Sequence, residues 1–247
     1  IYDNAANAII TSGSSGNITL LSDEFILTNP GAGLYDVSAV GSLTIAPLTA
    51  GTTMGVGSGA GTLSFSDTYI GYTTAASYVF GSTAAGNLTI NTTRDFGTSN
   101  VTFLSGANIT LAGNLTKASG AGTANYLFQA KGSISNTSGV GVSATAGSIN
   151  LTMTSDNDVS GAGSITLTSA PLSVNGGTIT LNSNGQSITQ SGSIGGDETI
   201  NSNNGAVSIG VLDGDAAGTR SLTVNAGTAT FTTTGAIGAT NKLNNLT

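Results

Sequence analysis

Two short acidic loops are where side-chain type and spacing in this 247-residue chain come closest to a defined chemistry. Asp156-Asn157-Asp158-Val159-Ser160-Gly161 matches the first half of a twelve-residue calcium loop. Acids stand at positions one and three, a hydroxyl at five and the turn glycine at six. Position twelve, which needs a bidentate acid, is Leu167, so the ligand set is incomplete. Asp213-Gly214-Asp215 could hold a cation weakly, although the Gly-Gly-x-Gly-x-Asp calcium repeat is absent. Asp156, Asp158, Asp213 and Asp215 are therefore the candidate Ca²⁺ ligands; the alternative is that each is a solvated corner residue. Asp23-Glu24 and Asp197-Glu198 are the other close acids. Neighbours in a strand point to opposite faces, which argues against a catalytic dyad at Asp197-Glu198. There is no His and no Cys, so Ser-His, Cys-His and the usual zinc arrangements are excluded. No other cofactor is expected, and the chain does not read as an enzyme.

Aromatic clusters offer a different chemistry. Asp67-Thr68-Tyr69-Ile70-Gly71-Tyr72 and Ala76-Ser77-Tyr78-Val79-Phe80 are the densest of them. If Tyr69, Tyr72 and Tyr78 point outward, they form a surface for sugars or proteins. The alternative is that they fill a wider core or cover corners.

The elements that must position these residues follow from composition and pattern. Charged residues make up only 7% of the chain, and 12 acids against 5 bases leave a net charge of −7. Such a surface repels phosphate backbones, and the five cations are too scattered to form a groove, so nucleic acid is excluded as a partner. No apolar run reaches the roughly 18 residues of a membrane span, and short strands poor in aromatics do not suit an outer-membrane barrel. Polarity comes from Thr, Ser and Asn, which face water from strands or occupy turns. The fold class is all-β.

One unit recurs: a turn residue, a small polar residue, then aliphatic, Thr or Ser, aliphatic. It appears at Gly16-Asn17-Ile18-Thr19-Leu20, Gly41-Ser42-Leu43-Thr44-Ile45 and Gly86-Asn87-Leu88-Thr89-Ile90, and again at Gly163-Ser164-Ile165-Thr166-Leu167 and Gly177-Thr178-Ile179-Thr180-Leu181. Each copy buries one aliphatic row and cannot do so alone, so copies must stack. Early copies lie 20 to 25 residues apart, the length of one solenoid turn of about three short strands; from Gly132 the spacing falls to 14 to 16, as if the unit marks more than one face of each coil. An antiparallel sandwich also gives many short strands, but it has distinct inner and edge strands, whereas these are nearly identical. Gly and Asn at corners supply positive φ, and Asn side chains can stack between coils. At about 22 residues and ~4.8 Å per coil, the rod is expected to hold about eleven coils.

The runs Ala46-Pro47-Leu48-Thr49-Ala50-Gly51-Thr52-Thr53-Met54-Gly55-Val56-Gly57-Ser58-Gly59-Ala60-Gly61-Thr62-Leu63 and Ser221-Leu222-Thr223-Val224-Asn225-Ala226-Gly227-Thr228 resemble repeats of the filamentous-haemagglutinin family of bacterial surface adhesins, as does Gly235 to Thr247. The resemblance implies a right-handed parallel β-helix on a bacterial cell surface, with surface glycans or proteins as partners. Only Asn29-Pro30-Gly31 approaches the family's Asn-Pro-Asn secretion motif, so the implied role is shaft. The chain is expected to be one β-helix segment over residues 1–247, an excerpt of a longer repeat protein, less regular and aromatic at 34–128 and more regular at 129–247. Three functions follow in order: an adhesive shaft, a filament self-associating end to end, and a polysaccharide lyase.

Overall fold

The computed structural model describes residues 10–13, 16–29, 31, 35–216 and 218–247. They form two long parallel sheets of 11 strands each, wound as a parallel β-solenoid. The first sheet stacks Ile10–Thr11, Val37–Ala46, Thr73–Ser82, Asn100–Ser105, Thr123–Ala130, Ser148–Thr154, Thr178–Asn182, Asp197–Asn201, Ser221–Asn225 and Asn245–Leu246. Ile18–Leu21 pairs with the second half of Val37–Ala46, completing the rung that Ile10–Thr11 begins. The second sheet stacks Leu63–Phe65, Met54–Gly57, Leu88–Asn91, Ile109–Leu111, Ile134–Asn136, Ile165–Ser173, Ile188–Ile194, Val207–Gly214 and Phe231–Thr233. It bends into two lines. Leu115–Lys117 and Val142–Ala144 form the further line, which the later strands continue past a register shift such as that between Leu167 and Ala170. Each coil thus presents about three short strand segments.

Register explains the two spacings in the sequence. Ile134 and Ile165 pair in the second sheet, whereas Ile149 and Ile179 lie on strands of the first. The closely spaced late copies of the unit therefore alternate between faces. Coil length also varies widely. Val37 pairs with Thr73, a step of 36, while Ile179 pairs with Glu198, a step of 19. Counting along the first sheet gives ten rungs, fewer than eleven, because the long coils carry insertions.

Inside, side chains of one register stack into columns. Ile45, Phe80, Phe103, Phe128, Met153, Leu181 and Ile200 form one column, all buried. Phe80 and Phe103 stack at 5.7 Å between ring centroids, and Phe103 and Phe128 pack at 4.9 Å with their rings tilted by 40°. Each fully buried aliphatic or Phe side chain contributes about 1.5–3 kcal/mol by leaving water. No single coil has this shelter; only stacking provides it.

The corners use the chemistry expected of them. Asn175, Asn184, Asn203 and Asn204 hold positive φ, as do many of the glycines. Outside, Asn125 donates through Nδ2 to Asn100 Oδ1 at 3.0 Å, and Asn150 to Asn125 at 3.1 Å. A second ladder joins Asn225 to Asn201 at 2.7 Å and Asn201 to Asn182 at 3.0 Å.

The largest departure from a simple winding follows Met54–Gly57. Residues 58–62 fold straight back over that strand, so Leu63–Phe65 pairs parallel with Met54–Val56 on the side opposite Leu88–Asn91. The four residues of Met54–Gly57 are all buried as a result. Only glycine permits the overlap: a Cβ on Gly55 would sit 1.9 Å from Gly59 O, and one on Gly61 2.3 Å from Gly55 N. A single-turn helix, Asp67–Gly71, then leads back to the first sheet, with the Ser66 hydroxyl accepting from Tyr69 N–H at its start.

Candidate functional site

The insertion creates the best candidate site. A groove of about 380 Å³ runs between the segment Asp23–Ile26 and the strand Leu63–Phe65 with the helix start behind it. Its lining includes Asp23, Glu24, Thr62, Ser64, Ser66 and Tyr69. This volume falls in the range of small-ligand pockets, and its hydroxyls and acids beside the Phe25 and Tyr69 rings suit a polyol better than an apolar guest. Phe25 and Tyr69 both line it and both pack on the buried Phe65, Phe25 edge to face at 5.4 Å and Tyr69 at 5.9 Å between ring centroids.

The acids beside the groove are already held. Asp23 accepts from Leu48 N–H and Thr49 N–H at 3.0 Å and from the Thr49 hydroxyl, and these bonds keep its carboxyl below the usual carboxylate range, the hydroxyl contributing most. At Asp67 burial acts to raise the carboxyl, but bonds from Thr92 and Thr93 outweigh it and the result is again a lowered value. Both acids tie their own coil to the next.

The three tyrosines separate. Tyr69 lines the groove, and Tyr72 is half-buried against the core. Tyr78 corrects the expectation of an outward contact. It lies 6% exposed, packs on Phe80 and Phe96 at 5.8 and 5.3 Å, and donates its hydroxyl to Thr73 O at 3.2 Å. Its alternation with Phe80 in Thr73–Ser82 puts it on the inner face. Its edge reaches a second cleft shared with Arg94 and Asp95, but at about 160 Å³ this is below the usual ligand range.

The four candidate Ca²⁺ ligands also have protein partners. Asp156 is fully buried at positive φ, and its carboxylate accepts from Gly161 N–H at 3.2 and 3.1 Å and from the Ser160 hydroxyl at 3.1 Å. Asp158 is exposed, so one loop splits its two acids between interior and surface. Asp213 accepts from Thr240 N–H at 3.1 Å. Asp215 receives Arg220 Nε at 2.7 Å and Nη2 at 3.1 Å, a two-point ion pair. Among the described residues no three acidic side chains come together.

Two buried charged side chains are set by strand phase: Lys117, which no motif marks, and Glu198, whose opposite facing to Asp197 the strand alternation anticipates. Lys117 is 0% exposed, and its Nζ donates to the carbonyls of Ser119, Gly120 and Ala146. Glu198 is 1% exposed and accepts from Gln190 Nε2 at 2.8 Å; burial pushes its carboxyl up to about 8. The signal for both is phase. Lys117 alternates with Leu115 and Glu198 with Ile200, so each falls on the inward row. Asp197 points out, as strand alternation requires.

Compared with family models, curated proteins and solved structures, the chain matches none.

Proposed function

We propose that this chain is a segment of the adhesive shaft of a bacterial surface protein. Parallel pairing that continues through ten rungs over a single buried stack is the observation that carries the reading. A rod of this build holds contacts at a distance, and its outer rows of Asn, Thr and Ser offer shallow polar contacts along its length. The Tyr69 groove, with hydroxyls and acids beside two aromatic rings, suits a surface glycan. The acidic, cysteine-free composition suits a surface protein stabilised without disulfides.

The test is competition. Purified chain added to cells that carry the full-length protein is expected to reduce their attachment, and a glycan panel to show binding that Tyr69→Ala weakens at least tenfold. Unchanged attachment both with added chain and after deletion of the gene would remove the adhesive role. Long end-to-end fibres of the purified chain in negative stain would instead favour a self-associating filament.

A further inference from the structure

Gln190 and Glu198 meet inside the solenoid, on facing strands of one coil. Gln190 lies on Ile188–Ile194 of the second sheet and Glu198 on Asp197–Asn201 of the first. They stand where the neighbouring coils place aliphatic side chains. Glu198 is flanked in register by Ile179 and Leu222, and Gln190 by Leu167 and Ile209. None of these four titrates. Burial and the Gln190 bond are the influences acting on the Glu198 carboxyl, with no charged group among them.

Hydrogen-bond accounting within the pair is incomplete in a specific way. Gln190 Nε2 donates to Glu198 Oε1 at 2.8 Å. The two remaining oxygens, Gln190 Oε1 and Glu198 Oε2, are buried without a partner. Both are acceptors when the carboxyl is ionised, so neither can help the other, and each carries the penalty of an unpaired buried group. One proton on Glu198 Oε2 supplies the donor that both lack. Donated to Gln190 Oε1, it closes the carboxyl and carboxamide into a two-point ring and removes a bare charge from the apolar stack.

We propose that Gln190 and Glu198 form a neutral acid–amide latch across the core, closed when Glu198 holds its proton and weakened when the surroundings turn alkaline. The sign follows from linkage. The unfolded chain releases this proton near the ordinary glutamate value of 4.5, whereas the folded chain keeps it to about 8. Between these limits the folded state binds more protons, so its stability falls as pH rises and levels off above the upper limit.

The experiment compares wild type with Glu198→Gln, which keeps a planar group with a donor but cannot ionise. Between about pH 5 and about pH 9 the unfolding constant of wild type is expected to rise by roughly two to three orders of magnitude relative to the variant. Hydrogen exchange in Ile188–Ile194 and Asp197–Asn201 should follow the same course. Should Glu198→Gln not fold, the double variant Gln190→Leu, Glu198→Leu, apolar on both sides, serves as the reference. Independently, the infrared spectrum of wild type at about pH 6.5 should contain the carbonyl band of a protonated buried carboxylic acid. Equal pH slopes in wild type and reference, or absence of that band, overturns the latch.

Discussion

Lys117 reaches across a coil boundary to the carbonyl oxygen of Ala146, 2.7 Å away. The same ammonium holds Ser119 O at 2.7 Å and Gly120 O, so a buried cation is satisfied by backbone carbonyls with no carboxylate bonded to it. The arrangement pins the turn after Leu115–Lys117 to the following coil.

Lys117→Met tests this clasp. The substitution keeps much of the stem and removes the donor from three carbonyls. Hydrogen bonds to a charged group are worth about 1.5–3 kcal/mol each, but relief of ammonium desolvation offsets part of the loss. A net destabilisation of about 2 kcal/mol is expected in urea unfolding, with the change largest in exchange protection of residues 118–123.

Gly55→Ala should undo the folded-back segment. The new Cβ would overlap Gly59 O, which belongs to backbone and cannot rotate away. Leu63–Phe65 should detach, and limited proteolysis should cut within residues 58–62 faster in the variant than in wild type. Destabilisation of about 2 kcal/mol or more is expected, in the range of core overpacking.

Column and ladder differ in worth. Phe103→Ala leaves a cavity between Phe80 and Phe128 and should cost about 3–5 kcal/mol. Asn201→Ala removes bonds to Asn182 and Asn225 at the surface and should cost about 1 kcal/mol. Thermal unfolding of the two variants ranks them directly; a larger loss from Asn201→Ala would assign the main stabilisation to the polar exterior.

Acid acts on Asp215. The Arg220 side-chain bond holds its carboxyl below the usual range. A depressed folded value adds stability above the unfolded value, near 3.8, that is lost as pH falls through the folded one. As a partly exposed surface pair it should contribute about 0.2–1 kcal/mol, so Asp215→Asn should lower stability by that amount at about pH 6 and by nothing measurable at about pH 2. High salt should shrink the difference.

Repeat architecture was readable in the chain because aliphatic alternation and corner glycines are local features. The alternation of Ile134, Ile149, Ile165 and Ile179 between two faces follows from their spacing alone. What the chain hid is which segments pair and which way a side chain turns at a corner. Tyr78 and Phe80 leave a surface and a core reading both open until register sets them beside Val101 and Phe103. The fold-back after Met54–Gly57 depends on a parallel pairing across only a few residues, which strand rules do not anticipate. Asp156 resembles a calcium ligand by spacing, yet its buried carboxylate closes its own turn. The groove at Tyr69 joins segments about forty residues apart, and no short motif marks it.

Asn and Asp side-chain oxygens that reach the next coil's backbone all accept from a later residue: Ser42 N–H to Asn17, Asn125 to Asn100, Ser133 to Asn108, Ser221 to Asp197, Thr228 to Asn204. Every coil of this kind therefore meets its successor with one standard connector, like a plug entering a socket of fixed gender. The rod therefore has a sense in its side-chain bonding as well as in its strands: each such coil turns its acceptors toward its successor, and its two ends are chemically unlike.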